Sequence, residues 1–243
     1  MKNNLFDHQK EALKNLKTGS VLSGGVGSGT SLTGLAYYFE NECGGKLETE
    51  EEDFKNMTTP KDLYIITTAR KRDTLEWDIE CANFMLRKKD RKNSLSNVLL
   101  VIDSWNNIKK YIDVENAFFI FDEQRVIGSG SWVKSFLKIT KKNSWILLTA
   151  TPGDTWLDYI PVFIANGYYK NRTEFMRRHV IYSRFSKFPR VDKYIEMKHL
   201  EKLKQNILVP MSYDKKTRSQ FFIVNCEYNK NLYSLAMRGR AHV

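Results

Sequence analysis

The segment SGGVGSGTSLTG, residues 23–34, has the residue types and spacing that bind phosphate. It matches G-x-x-x-x-G-K-[ST], in which backbone N–H groups surround phosphate oxygens and the final hydroxyl ligates magnesium. Thr30 stands where the pattern has its lysine. We predict a nucleotide-phosphate loop that lacks its usual cation, with these contacts: Gly24, Gly25, Gly27, Ser28, Gly29, Thr30 and Ser31.

An acid pair, Asp122 and Glu123, follows the apolar run FIF. An aspartate at the end of a buried strand can hold Mg²⁺ through water, and the neighbouring glutamate can polarise the water that attacks a phosphoryl group. An isolated Asp-Glu after apolar residues is usually a solvated turn. Downstream of a phosphate loop in the same α/β pattern, the catalytic interpretation is favoured.

The substitution at Thr30 predicts weak turnover. The loop lysine acts on charge that builds in the transition state, and removal of such a donor costs about 10² to 10³ in rate. Backbone amides and magnesium remain, so ATP binding should weaken less than hydrolysis. No substitute cation occurs at matching spacing, and Arg125, next to the acid pair, is the one candidate nearby.

Short β-type runs alternate with helix-period stretches, which predicts an α/β fold with a mostly parallel sheet and helices on both faces. Such sheets bind ligands beyond the carboxyl ends of their strands. A dinucleotide fingerprint, G-x-G-x-x-G, is the weaker alternative for the glycine loop because neither possible register has its third glycine. The strands are expected at residues 20–24, 63–68, 98–102, 117–122 and 145–150.

Composition points to a nucleic-acid partner. The 243 residues include 39 Lys and Arg against 28 Asp and Glu, a net charge of +11 that favours polyanions. On charge alone an anionic membrane is the alternative, but no apolar run is long enough for a signal peptide or a membrane span. Three separated cysteines, without C-x-x-C spacing, predict reduced thiols in a cytoplasmic protein and no zinc site.

Three further polar segments stand out. Residues 44–61 should form an exposed loop, and residues 87–93, RKKDRKN, a solvated helix end in preference to a binding patch. The segment from Lys170 to Lys193 has eight Lys or Arg, two acids and four aromatics. It could line a nucleic-acid groove, or its aromatics could be the buried face of an amphipathic helix.

Five segments together resemble superfamily 2 helicases and translocases of the Swi/Snf type, most closely their short phage-encoded members. LFDHQKEAL resembles the adenine-reading motif and IITTARKRDTLEW the motif that touches the nucleic-acid backbone. DEQR resembles the DEAH-like box, and TATPG the Ser-Ala-Thr motif that couples the two sites. With the glycine loop, these motifs follow in order over residues 5–153.

The resemblance implies a RecA-like domain over residues 1–205, with a basic helical insertion at about 155–200. Residues 206–243, including a strand at FFIVNCEY, would lead toward a second RecA-like domain, which supplies an arginine finger in the family. ATP and Mg²⁺ are the implied cofactors. The implied site residues are Gln9 for the base, Ser31 and Asp122 for magnesium, Thr149 and Thr151 for coupling, and Arg70, Lys71, Ser104 and Trp105 for nucleic acid.

Two functions fit these features. The first is an ATP-dependent helicase or DNA translocase motor domain, acting on DNA more readily than RNA, in the cytoplasm of a bacterial host cell if the protein is phage-encoded. The second is a module that binds nucleic acid or a partner without hydrolysis. A purely structural glycine turn is disfavoured because it would not be accompanied by the other motifs in order.

Overall fold

The structure is a computed structural model that describes residues 5–50, 53–88, 98–123, 126–185 and 188–212. All of these residues belong to one compact unit, Met1–Tyr213. The expected strand at FFIVNCEY lies outside the described residues, as does most of the 206–243 segment. No helix of the described part is long and apolar enough to cross a membrane.

Six parallel strands form the central sheet, which confirms the predicted α/β fold class. All five strands predicted within the described residues are present, the third displaced toward the carboxyl end by two residues. The sixth, which pairs with the first, was not expected as a strand. In chain order they are β1 Val21–Gly24, β2 Leu63–Thr67, β3 Leu100–Ser104, β4 Phe118–Asp122, β5 Ser144–Thr149 and β8 Leu208–Met211, and their order across the sheet is β3-β2-β4-β5-β1-β8.

Helices cover both faces of this sheet. Each strand sends successive side chains to opposite faces, so Ile120 of β4 enters one core while Phe119 and Phe121 enter the other. The helices are α1 Asp7–Asn15, α2 Thr30–Tyr37 with a π-helical turn at Tyr38–Glu42, α3 Ala69–Asp73, α4 Glu76–Ala82, a 3₁₀ helix at Trp105–Tyr111, α5 Ser131–Thr140, α6 Trp156–Ala165, α7 Arg172–His179 and α8 Met197–Ile207.

The region after β5 combines helices with a two-stranded antiparallel ribbon, β6 Val180–Tyr182 and β7 Val191–Tyr194. The aromatic residues of the basic segment, Lys170 to Lys193, include both buried rings, as in a helix packed on the core, and exposed rings, as in a nucleic-acid groove. Phe175 of α7 is fully buried, whereas Phe185 and Phe188 are 101% and 74% exposed. The segment therefore contributes one aromatic anchor to the core and presents others to solvent.

The acidic segment after α2 is largely loop, as expected, but it is anchored to the core. Lys46 and Lys55 form an isolated antiparallel bridge, and Leu47 is buried beside them. Residues 89–97, which include most of RKKDRKN, lie outside the described part of the chain.

Candidate nucleotide site

The glycine loop connects β1 to α2 in a conformation that needs glycine. Gly27 and Gly29 have φ values of +86° and +82°, in the left-handed region that other residues rarely adopt. A Cβ on Gly24 would lie 2.5 Å from Ser28 Oγ, and one on Gly29 would overlap the side-chain amide of Gln9. The loop therefore turns tightly and delivers the chain to the amino terminus of α2, where unpaired N–H groups favour an anion.

Gln9 holds the loop from α1. Its Nε2 donates a 3.2 Å hydrogen bond to the backbone carbonyl of Ser28, and its Oε1 accepts one of 2.9 Å from the N–H of Phe6. His8 Nε2 lies 3.1 Å from the same carbonyl. The structure thus places Gln9, which is 2% exposed, directly against the loop. Its contact with an adenine base stays a prediction.

Thr30 and Ser31 begin α2 beside the carboxyl end of the sheet, and both are partly buried. Between residues 23 and 34 the sequence has no Lys or Arg, so the loop itself contributes only backbone dipoles and hydroxyls. Ser31 lines a cleft of about 250 Å³ together with Lys71, Glu76, Trp77, Ile79 and Glu80.

Asp122, at the end of β4, is 4% exposed and is surrounded by donors from one neighbouring segment. Thr67 Oγ1 donates to its Oδ2 at 2.8 Å, and Trp77 Nε1 donates to the same oxygen at 2.9 Å. Lys71 Nζ lies 3.0 Å from Oδ2 and 3.3 Å from Oδ1. These contacts give hydrogen-bond donors to a buried polar group, which would otherwise be costly to bury.

Glu123 is more open and has an unusual backbone. Its φ of +60° is in the left-handed region, which costs free energy for a residue other than glycine. Its side chain is 39% exposed, and Oε1 lies 3.4 Å from Lys71 Nζ. Gln124 and Arg125 lie outside the described residues, so the suggestion that Arg125 supplies a cation stays a prediction.

Lys71 remains charged in this environment. Burial lowers the pKa of its ammonium, but attraction and hydrogen bonds from Asp122, with a further contribution from Glu123, outweigh burial and raise the pKa above its ordinary value. Lys71 also lines the cleft that contains Ser31, at the start of α2, while its ammonium contacts both acids.

The four residues expected to touch nucleic acid lie in different environments. Arg70, on α3, is exposed, whereas Lys71 next to it turns to the acid pair. Ser104 and Trp105 are each 2% exposed. Trp105 Nε1 donates to the backbone carbonyl of Asp122 at 3.0 Å. In this conformation only Arg70 of the four offers an exposed side chain, and the nucleic-acid contacts of all four stay predictions.

A polar cluster supports the start of the 3₁₀ helix. Arg72 Nη1 lies 3.3 Å from Asp103 Oδ1 and donates to Ser104 Oγ at 3.4 Å. Burial raises the pKa of Asp103, but hydrogen bonds from Asn107, Tyr111, the Ser104 amide and Arg72 together hold it below its usual value. The Arg72 contacts link α3 to β3, and the ion pair of Lys71 with Asp122 links α3 to β4.

The pair expected to couple the two sites lies at the end of β5. Thr149 Oγ1 accepts a 3.0 Å hydrogen bond from the N–H of Thr151. Thr149 is also in register with Ser23 of β1, the residue that precedes the loop. The structure therefore puts Thr149 next to the strand that leads into the glycine loop, and the coupling role of the pair stays a prediction.

The residues present suit a nucleotide-bound magnesium ion. Mg²⁺ usually keeps several waters and takes one or two protein oxygens plus phosphate oxygens, which the Asp122 carboxylate and Ser31 hydroxyl could supply. Among the described residues, no group of three or more His, Cys, Asp or Glu could hold a metal ion. The Asp122 carboxylate and the Ser31 hydroxyl would therefore suit a metal that arrives with phosphate.

Sequence reasoning did not identify Thr67 as part of the site and assigned Lys71 and Trp77 a different environment. All three lie in the segment 65–77, which had been singled out as a nucleic-acid motif. The signal that could have placed them was strand order, since β2 lies directly beside β4 in the sheet.

The sheet order, the glycine loop after β1 and the acid pair after β4 define an α/β fold of the RecA-like kind. Among solved structures, the chain is similar to the SWI2/SNF2 ATPase core of Sulfolobus solfataricus in complex with dsDNA, with a TM-score of 0.61 and 16% identity over 86% of this chain and 45% of that one. The Hef helicase domain of Pyrococcus furiosus matches with a TM-score of 0.42 and 15% identity over 72% of this chain and 40% of that one.

The first of these similarities shows the fold and, at such low identity, no more than the fold. The chain spans less than half the length of either matched structure. No protein-family model and no curated protein matches the sequence.

Proposed function

We propose that this chain is the ATP-binding domain of a nucleic-acid motor, a helicase or a DNA translocase that couples ATP hydrolysis to nucleic-acid binding. One observation supports this proposal most: Thr67, Lys71 and Trp77, from the segment that resembles a nucleic-acid motif, all contact the buried carboxylate of Asp122. A change in that segment on nucleic-acid binding would act directly on the acid proposed for the ATP site.

In this proposal the loop amides and the amino terminus of α2 bind the phosphates of ATP. Ser31 and Asp122 hold Mg²⁺, which neutralises phosphate charge, and Glu123 orients the attacking water. Gln9 reads the adenine base, and Thr149 with Thr151 transmits the state of the nucleotide. The nucleic acid is DNA in preference to RNA.

Thr30 reduces the catalytic power of this site because a hydroxyl cannot replace a charge. We propose a domain that binds ATP and hydrolyses it slowly, in the cytoplasm of a bacterial host cell if the gene is carried by a phage. Its partner in catalysis would be a second RecA-like domain or another replication or recombination protein.

The alternative function is a module that binds nucleic acid or a partner protein without hydrolysis. Thr30 favours it, and so does the ion pair between Lys71 and the acids, because both reduce what the site offers to a magnesium nucleotide. This alternative predicts DNA affinity with a steep salt dependence that ATP does not change.

The test is magnesium-dependent binding and hydrolysis of ATP, with and without double-stranded DNA, by this chain and by Thr30→Lys. We expect measurable ATP binding by both, and an increase in hydrolysis of about 10²-fold or more for Thr30→Lys, alone or with a second RecA-like domain added. If neither protein binds ATP while both bind DNA, the motor proposal is wrong and the binding module stands. Competition between DNA and RNA of one sequence settles the nucleic-acid preference.

A further inference from the structure

The glycine loop has no cation of its own, and a lysine from another element lines the cleft that contains Ser31. Among the described residues that line the cleft beside Ser31, Lys71 is the only cationic side chain. It comes from α3, which begins directly after β2, whereas the loop follows β1 on the other side of β4 and β5. No motif spacing in the sequence indicates that Lys71 and Ser31 share a cleft.

The position of α3 is defined by its first turn. Thr68 caps the helix by accepting a 3.3 Å hydrogen bond from the N–H of Lys71 through its side-chain oxygen. This cap fixes the backbone of Lys71 at the carboxyl end of β2, and the flexible stem of the side chain spans the remaining distance to Asp122. The Lys71 backbone is therefore held in place while its ammonium contacts the acid pair.

An ammonium in this place can exchange one anionic acceptor for another. Lysine is a compact charge on four flexible carbons with three donors, and only 28% of the Lys71 side chain is exposed. A phosphate oxygen in the shared cleft would offer it the same kind of charge-assisted hydrogen bond that Asp122 offers now.

We propose that Lys71 is the phosphate-binding cation of this site and takes the role of the loop lysine whose position Thr30 occupies. This inference rests on the proposed function, because it assumes that ATP phosphates occupy the loop. It gives Lys71 a role in nucleotide binding in place of the nucleic-acid contact expected from the sequence.

The experiment is a double-mutant cycle read by equilibrium binding of a fluorescent ATP analogue with magnesium. The proteins are the unmodified chain, Lys71→Met, Thr30→Lys and the double variant. We expect Lys71→Met to weaken binding about tenfold to a hundredfold, the usual effect of losing a charge-assisted hydrogen bond. In the Thr30→Lys background the same change should weaken binding by about twofold or less, because the loop then has its own cation.

Two controls separate this role from folding and from general charge. Lys142→Ala removes a lysine paired with Glu115 at the opposite end of the strands and should leave binding unchanged. Lys71→Arg keeps the charge and should retain most of the affinity. Thermal unfolding of each variant checks that the fold is retained, as expected for Lys71→Met because Thr67 and Trp77 also donate to Asp122.

Equal or tighter binding of the analogue by Lys71→Met would overturn the inference, since it would mean that the ammonium only blocks the acids. A loss of the same size in both backgrounds would also overturn it, because the two cations would then act independently. If Thr30→Lys fails to bind the analogue as well, the proposed function itself is wrong, and the inference falls with it. That result differs from a failure of the Lys71 inference alone.

Discussion

The indole Nε1 of Trp77 donates a 2.9 Å hydrogen bond to Oδ2 of Asp122, and both side chains are buried. The tryptophan that ends the segment 65–77 is thus bonded to the carboxylate that ends β4. Through this contact α4 and the proposed magnesium ligand form one packed unit.

Trp77→Phe should lower the free energy of unfolding by about 1–3 kcal/mol, because it removes a donor to a buried charged acceptor while keeping most of the apolar ring. Urea unfolding followed by circular dichroism measures the change. Trp132→Phe, at a partly buried tryptophan of α5, is the matched control and should cost less. Equal losses in the two variants would show that ring packing, and not the bond to Asp122, carries the effect.

Gly29→Ala should destabilise the loop. A Cβ at this position meets the Gln9 amide, and the left-handed φ of +82° costs a non-glycine residue about 1–2 kcal/mol even without the contact. Gly25→Ala in the same loop is the control, because nothing lies within 4 Å of its Cβ. Thermal unfolding should separate the two variants clearly, and similar melting temperatures would contradict the described loop conformation.

His179 should make stability depend on pH. Its ring is 1% exposed, with Tyr169 Oη 2.7 Å from Nε2 and the Ile195 carbonyl 3.4 Å from Nδ1. Burial lowers the pKa of His179 and outweighs the opposing contributions of the Ile195 carbonyl and Glu196. The unfolded chain therefore takes up a proton first, and the free energy of unfolding should fall as the pH is lowered through about 6.5, the ordinary histidine value.

Urea titrations across the range from about pH 7.5 to 5.5 measure this slope around the ordinary histidine pKa. His179→Asn should flatten it. His199→Gln, at an exposed histidine whose ring stacks on His179 at 5.9 Å, should largely retain it. A slope that survives in His179→Asn would assign the pH dependence to other groups.

The exposed aromatics near the β6–β7 ribbon test the groove interpretation of the basic segment. If the ribbon binds single-stranded nucleic acid, Phe185→Ala should weaken binding about fivefold to a hundredfold, the usual loss when one base no longer stacks on an aromatic face. Fluorescence anisotropy with a labelled oligonucleotide measures this affinity. Unchanged affinity in Phe185→Ala, together with an intact fold, would leave the exposed ring without a role in nucleic-acid binding.

Several features were open to prediction because they depend on neighbouring residues in the chain. The strands at Leu63–Thr67 and Phe118–Asp122 are fully buried and mostly apolar. A run of consecutive apolar residues can be recognised directly in the sequence. Gly29 could be assigned to a tight loop because its spacing before Ser31 belongs to a local motif. The short strand β8, by contrast, contains Pro210 and borders a polar stretch, so it lacks the pattern of a buried strand.

The sequence by itself determined the fold class, the glycine loop and the position of the acid pair, since each is encoded within a few consecutive residues. Only the tertiary structure decided that Lys71 lies against Asp122 and that Ser104 and Trp105 are buried. The physical reason is strand order. Because β2 pairs directly with β4, residues 51 positions apart share one hydrogen-bonded cluster, and no local spacing specifies that pairing.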